Sequence, residues 1–151
     1  MPPEELWRLI KEAFQEPSRS PIWPVDVDEV EPVELMEGAM VQATYKLGPL
    51  KARPSYSITR FEPGRSFSYE SNPSHPLQGG ATVVVEPREA MASALRWYGS
   101  YRPRLHPMAP GALLFVRLYF LRTFFAGLEE KLRVYEQIFG GEERQAVSQP
   151  R

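Results

Sequence analysis

The feature of this sequence that most limits its fold is a long apolar segment near the C-terminus, from Gly111 to Phe139. Apolar residues recur in it at intervals of three and four, the repeat of one helix face, at Leu114, Leu118, Leu121, Phe125, Leu128, Leu132, Tyr135 and Phe139. Pro107 and Pro110 precede the segment, and Gly140-Gly141 is a suitable C-terminal stop. The spacing therefore predicts one long terminal helix that ends near the two glycines.

The first half of this predicted helix is apolar on nearly all sides, interrupted only by Arg117, Arg122 and Thr123. A helix of this kind must be covered on more than one face, because a single packed core covers only one stripe. A membrane span needs ~20 apolar residues. The apolar first half of the helix, Leu113 to Phe125, is shorter than that and contains two arginines, so we expect no stable membrane insertion. We expect a sheet on one side and a ligand cavity on the other.

The residues between Val25 and Tyr101 alternate between apolar and polar, which is typical of half-buried strands. Strands are predicted over 27–35, 40–47, 55–59, 65–70, 81–86 and 91–101, with a division near Pro87. Short successive strands favour an antiparallel meander. A short helix is predicted from Glu4 to Phe14. The chain thus reads as one α+β domain over residues 1–141, followed by a polar tail, 142–151, expected to be flexible. We expect five apolar side chains to be buried: Trp7, Leu121, Phe125, Leu128 and Leu132.

Composition excludes several classes of function. The formal net charge of -1 creates no field that would attract nucleic acid, and the lack of cysteine removes disulfides and thiolate chemistry and favours the cytoplasm. The only histidines, His75 and His106, have no second ligand at metal spacing, and Gly79-Gly80 lacks the lysine of a phosphate loop. We therefore expect no metal and no cofactor. Arginine outnumbers lysine and Asn72 is the only asparagine, as in thermophilic proteins.

Several short signatures occur in a definite order along the chain. They are Pro3-Glu4-Glu5-Leu6-Trp7, the turn Phe61-Glu62-Pro63-Gly64-Arg65 before an aromatic strand, Gly79-Gly80 before a valine strand, and the terminal helix. Together they resemble the START-like, polyketide cyclase-like (SRPBCC) superfamily over nearly the whole chain. The resemblance implies a helix-grip fold, in which a curved antiparallel sheet of about six strands wraps around the long C-terminal helix. It also implies an apolar cavity for lipids, polyketides or other hydrophobic ligands.

Members of that superfamily usually have a strand before the first helix, whereas only Met1 and Pro2 precede the Pro3-Glu4-Glu5 segment here. The sheet edge next to such a strand would stay open, with unpaired backbone groups. We therefore expect a second copy of the chain to cover this edge in a homodimer.

Aromatic residues are the candidates for lining the cavity: Tyr45, Tyr56, Tyr69 and Trp97 on the sheet, with Phe115 and Tyr119 on the helix. Core packing explains each ring separately. A buried tyrosine, however, needs a partner for its hydroxyl, which a polar ligand end or water supplies. Arg96 and Arg117 are candidate polar anchors for a carboxylate or phenolate, with a surface position as the alternative for both.

The leading hypothesis is a protein that binds or carries a hydrophobic, lipid-like or polyketide-like small molecule between the sheet and the C-terminal helix. An enzyme of the cyclase, dehydratase or hydrolase type that uses the same cavity is one alternative, although no residue set indicates a catalytic centre. The other alternative is an interaction module whose apolar helix packs against a partner protein or a membrane surface. The fold serves binding and catalysis alike.

Overall fold

Antiparallel strands separate two helical segments in this computed structural model, which describes residues 1–30, 34–47, 50–89, 91–105 and 107–147. Helix α1, Pro3–Gln15, comes first. The strands follow in order: β1 Val27–Val30, β2 Met40–Leu47, β3 Leu50–Ala52, β4 Ser55–Glu62, β5 Ser66–Ser71, β6 Leu77–Glu89 and β7 Ala92–Pro103. The chain ends in α2 Ala109–Phe115, a π-helical turn Val116–Phe120 and α3 Leu121–Val147, which together form the C-terminal helix. Residues 31–33 of the first predicted strand, His106 and residues 148–151 lie outside the described residues.

The strands form one antiparallel sheet in the order β1-β2-β4-β5-β6-β7, with β3 also paired to β2. Strands β3 and β4 occupy one position in the sheet, because both pair with β2 and only Arg53 and Pro54 separate them. The sheet is therefore six strands wide, and this confirms the predicted helix-grip arrangement. Strand β6 is longer than predicted and runs through Pro87, where the register shifts because proline cannot donate to the ladder.

Helix α1 packs its apolar face on the inner side of the sheet. Its proline at the first turn and its acidic residues Glu4 and Glu5 suit a helix N-terminus. All its large apolar side chains are buried: Leu6, Trp7, Leu9, Ile10 and Phe14. Phe14, near the end of the helix, lies 4.7 Å from Phe67 of β5 between ring centroids. The predicted burial of Trp7 is confirmed.

The C-terminal helix is buried at fewer positions than predicted. Leu128 is buried, and Leu121 and Leu132 are partly buried, but Phe125 is 37% exposed and Phe124 takes its place in the core at 5%. The predicted burial of Phe125 is therefore wrong. Both phenylalanines lie in α3 and fit a three-four repeat from Leu121, and Phe124 is the one whose ring packs against Trp23, at 5.2 Å between centroids.

The C-terminal helix also continues past the predicted stop. Its last described residue is Val147, so the residues 142–147 of the predicted flexible tail are helical. Glycine weakens a helix interior by only about 0.5–1 kcal/mol, and the glycine pair therefore does not end the helix. Over Ala109–Phe139 the helix is long and apolar enough to cross a membrane, although only 11% of its most apolar stretch is buried. The expectation that the apolar part of the helix is too short to cross a membrane was therefore wrong.

Candidate functional site

Four tyrosines from four different strands lie together between the sheet and the helices. They are Tyr45 of β2, Tyr56 of β4, Tyr69 of β5 and Tyr101 of β7, here called the tyrosine cluster. Strand alternation puts each on the inner face, and the pairing of Ile58 with Tyr69 places the rings of Tyr56 and Tyr69 diagonally across β4 and β5. The centroids of these two rings are 4.8 Å apart.

The hydroxyl groups of the cluster are connected by hydrogen bonds. The indole N–H of Trp97 donates to the hydroxyl of Tyr69 at 3.1 Å. The hydroxyls of Tyr69 and Tyr101 are 3.5 Å apart, and those of Tyr45 and Tyr56 form a second pair. Trp97 lies on β7 two positions before Gly99 and four positions before Tyr101. It therefore extends the cluster along this strand.

One hydrogen-bonding group at this site is left without a partner. Each phenol hydroxyl both donates and accepts, so the hydroxyl groups and the Trp97 N–H can satisfy one another. The N–H of Trp23, whose ring centroid lies 6.3 Å from that of Tyr45, is buried without an acceptor among the described residues. An unpaired buried donor costs free energy, so this side of the cluster is suited to receiving an acceptor oxygen.

Burial keeps all four phenols neutral. It raises the pKa of Tyr45 to about 12, and it raises the pKa of Tyr56 and of Tyr69 well above the usual 10.0. The pKa of Tyr101 is also raised, mainly by burial. Neutral phenols donate hydrogen bonds but do not abstract protons near pH 7. The cluster can therefore bind and orient an oxygen atom, and it has no tyrosinate base.

Phe14 of α1 lies in the middle of the aromatic interior. Its ring centroid is within 6.3 Å of those of Trp23, Tyr56, Phe67, Tyr69 and Trp97. On the helix side, the rings of Phe124 and Phe125 each lie 5.5 Å from Trp97. Trp97 is partly exposed and Phe125 is exposed, so these two side chains separate the tyrosine cluster from solvent.

An apolar groove begins on the outer side of Phe125. It has a volume of about 500 Å³ and lies between α1, β7 and the C-terminal helix. Its apolar lining consists of Met1, Leu6, Leu95, Phe125, Leu128 and Leu132. Glu129, Arg133 and Glu136 form its polar rim. A ligand with a hydrocarbon body fits this lining, and Phe125 connects the groove to the ring of Trp97.

A larger hollow of about 720 Å³ lies mainly on the opposite face of the sheet and has a different character. Polar side chains line most of it, among them Arg60, Ser68, Glu70, Thr82 and Ser100. Its lining is more polar than apolar, which is the reverse of the groove. Although it is the larger of the two, we consider it the weaker candidate for a hydrophobic ligand, because such a ligand gains free energy from apolar burial.

The structure brings together four of the six predicted lining residues, namely Tyr45, Tyr56, Tyr69 and Trp97. It does not bring the two helix residues to them. Phe115 and Tyr119 contact each other at 5.5 Å, and Tyr119 is 56% exposed. Phe124 and Phe125 take their place one turn later, beyond the π-helical turn.

The two predicted polar anchors lie at the surface. Arg96 forms an ion pair with Glu86 at 2.8 Å, and Arg117 is exposed, so neither reaches the cluster. His75 accepts a hydrogen bond from the backbone N–H of Leu77 and has a local structural role. Among the described residues there is no group of three side chains suited to hold a metal ion.

Sequence reasoning missed three members of the site: Phe14, Trp23 and Tyr101. Tyr101 carried a usable signal, because alternation along β7 places residues 97, 99 and 101 on one face. Phe14 was named only as the last residue of the predicted first helix, and Trp23 lies in the proline-rich segment that follows it. Nothing local in the sequence indicates that their rings meet at the cluster.

Comparison with known proteins supports the same fold. The family described as polyketide cyclase / dehydrase and lipid transport matches residues 1–133. None of the curated proteins matches the chain significantly.

Solved structures with a similar fold include proteins from three bacteria. One from Rhodobacter sphaeroides has a TM-score of 0.63 and 17% identity, with 91% of this chain and 86% of that chain covered. One from Mesorhizobium loti has a TM-score of 0.58 and 22% identity, with 87% and 89% covered. One from Deinococcus radiodurans has a TM-score of 0.54 and 19% identity, with 93% and 91% covered. At these identities the similarity shows the fold alone.

Proposed function

We propose that this chain, which belongs to the polyketide cyclase, dehydrase and lipid transport family, binds or carries a hydrophobic small molecule that has at least one acceptor oxygen. Its apolar body would lie in the groove between β7 and the C-terminal helix. Its oxygen would reach the tyrosine cluster past Trp97 and Phe125.

The observation that carries this proposal is the buried indole N–H of Trp23, which lies beside the tyrosine cluster and has no acceptor among the described residues. A core selected only for packing has no use for a buried donor without an acceptor, because such a donor is destabilising. It also has no need of buried hydroxyl groups, since a phenylalanine at Tyr45 or Tyr56 would fill nearly the same volume. An oxygen-bearing ligand supplies the missing acceptor, and its binding energy then includes a hydrogen bond that the free protein does not form.

The site also limits the class of ligand. A carbonyl, ether or hydroxyl oxygen suits neutral phenol donors, whereas a carboxylate at the cluster needs a cationic partner, which neither Arg96 nor Arg117 supplies. We therefore favour ketones, quinones, sterols and polyketide-like molecules over fatty acids. The groove volume of about 500 Å³ is in the range of small-molecule sites.

The test is a titration of the purified protein, followed by tryptophan fluorescence, with a sterol, an aromatic polyketide and a fatty acid. We expect the first two to change the emission of Trp97 and the fatty acid to bind more weakly. Tyr69→Phe keeps the ring and removes the hydroxyl that Trp97 contacts. Loss of one hydrogen bond, ~0.5–1.5 kcal/mol, should weaken binding by roughly 2- to 12-fold.

Tyr98→Phe is the matched control, because Tyr98 is also on β7 but is 53% exposed. It should leave the affinity unchanged. If no ligand class alters the emission, or if Tyr69→Phe and Tyr98→Phe behave alike, the tyrosine cluster is not the binding site.

A further inference from the structure

The first half of the C-terminal helix and the segment before it expose an unusual amount of apolar surface. The exposed fractions are 110% for Leu105, 70% for Met108, 61% for Leu114, 69% for Leu118 and 56% for Tyr119. These side chains form what we call the apolar helix face. Helix α1, by contrast, buries all its large apolar residues. Exposed apolar side chains concentrated in one segment of the chain indicate an interaction site.

The charged residues in this part of the sequence are all basic. No aspartate or glutamate occurs from Met91 to Leu128, whereas the same stretch contains Arg96, Arg102, Arg104, Arg117 and Arg122. Arg96 is neutralised by Glu86. Arg117 and Arg122 are exposed and form no ion pair with any residue that the structure describes. Arg117 and Arg122 lie next to and four residues after the exposed Leu118, so basic and exposed apolar side chains occur together in this part of the helix.

A second copy of the chain is a poor occupant for this face. A twofold contact would bring the same surface of both copies together, and it would place Arg117 and Arg122 of each copy close to those of the other with no acidic residue nearby. A membrane-spanning arrangement is also unfavourable, because both arginines would lie within the apolar stretch. In addition, Phe124 and Leu128 on the same helix are already packed against the sheet and α1.

We propose that the apolar helix face docks on the surface of an anionic phospholipid membrane. Leu105, Leu114 and Leu118 would enter the boundary between headgroups and acyl chains, and Arg117 and Arg122 would contact the lipid phosphates. A helix with exposed apolar and basic residues binds in this way, parallel to the membrane plane. The overall net charge of -1 gives no general attraction, so the binding would depend on this face alone.

The test is co-flotation of the purified protein with vesicles of two compositions, phosphatidylcholine alone and equimolar phosphatidylcholine and phosphatidylglycerol. We expect flotation with the anionic vesicles only. Each surface arginine contributes about fivefold to such affinity, so Arg117→Gln with Arg122→Gln should weaken binding by about 25-fold. Leu114→Ser with Leu118→Ser should abolish it. All four side chains are exposed, so circular dichroism should remain unchanged.

The matched control is Arg60→Gln with Arg65→Gln, which makes the same change in net charge at two exposed arginines on other elements. It should float as the wild type does. Equal binding to both vesicle types, or no binding to either, would overturn the proposal. So would a dimer in sedimentation that Leu114→Ser with Leu118→Ser dissociates, because the occupant would then be a second copy.

Discussion

Phe14 is the side chain whose replacement tests most directly what the aromatic interior is for. It is only 2% exposed, and its ring neighbours five other aromatic rings, two of them members of the tyrosine cluster. Phe14→Ala removes the ring and leaves Tyr56 and Tyr69 beside a new cavity. The cavity would be apolar on most sides, with hydroxyl donors on one.

The expected loss of stability follows from burial and ring contacts. Phenylalanine to alanine in a core costs ~3–5 kcal/mol, and aromatic pairs add about 0.5–1.5 kcal/mol each beyond the area buried. We expect about 5 kcal/mol, the upper end, because five ring contacts are lost. A domain stabilised by about 5–15 kcal/mol retains a measurable folded state under such a loss.

The assay is urea unfolding, followed by tryptophan fluorescence, with and without a small aromatic ketone. Acetophenone has an acceptor oxygen, and ethylbenzene has nearly the same shape without one. At about 100 times its dissociation constant, a ligand adds about 2.7 kcal/mol to the free energy of unfolding. We expect acetophenone to restore clearly more stability to Phe14→Ala than ethylbenzene does.

Phe61→Ala is the control variant. Phe61 is partly buried and its ring lies 5.8 Å from Trp7, away from the tyrosine hydroxyls. This variant should lose stability but show no preference between the two compounds. The reasoning is refuted if Phe14→Ala loses the expected free energy and both compounds restore it equally or not at all. The cluster would then be ordinary core packing.

Three further predictions follow from the same structure. Because burial raises the pKa of Tyr45 from 10.0 to about 12, the unfolded chain loses this proton first. The free energy of unfolding should therefore fall by about 3 kcal/mol in total as the pH rises from below the lower value to above the higher one, and Tyr45→Phe should flatten this part of a urea-unfolding pH profile. Tyr119→Ala should change stability by less than about 0.5 kcal/mol in the same assay, since the side chain is 56% exposed. Strand β7 pairs only with β6 among the described strands, so we expect self-association through β7, visible in sedimentation and as slower amide exchange in β7 at high protein concentration; a monomer with unprotected β7 amides would contradict this.

Much of the fold could be predicted because its signals are local. The alternation in β2, β4 and β5 identified both the strands and their inner faces, and Tyr45, Tyr56 and Tyr69 were assigned to those faces correctly. The helical spacing of α1 identified a buried face that includes Trp7. Each of these inferences uses residues within a few positions of one another. Over that distance the backbone geometry of a helix or a strand sets how often a side chain returns to the same face.

One error occurred where a local rule was applied across a change in backbone geometry. The apolar repeat of the C-terminal helix was followed through residues 116–120 as though the helix were regular, but a π-helical turn lies there and Tyr119 within it is exposed. No residue in that segment is a proline or a glycine, and composition therefore did not indicate the irregularity. The choice of Phe125 over Phe124 has another cause, because both fit a three-four repeat within α3 and only packing against Trp23 decides between them.

The sequence by itself determined the class of fold, the order of its elements and the excess of apolar surface on the C-terminal helix. Only the tertiary structure decided that four tyrosine hydroxyls meet, that Phe14 lies between their strands, and that the indole N–H of Trp23 is buried without an acceptor among the described residues. The physical reason is that these contacts depend on the register between separate strands and on where α1 packs against them. Register and packing depend on the sum of many long-range interactions, and no short stretch of sequence contains that information.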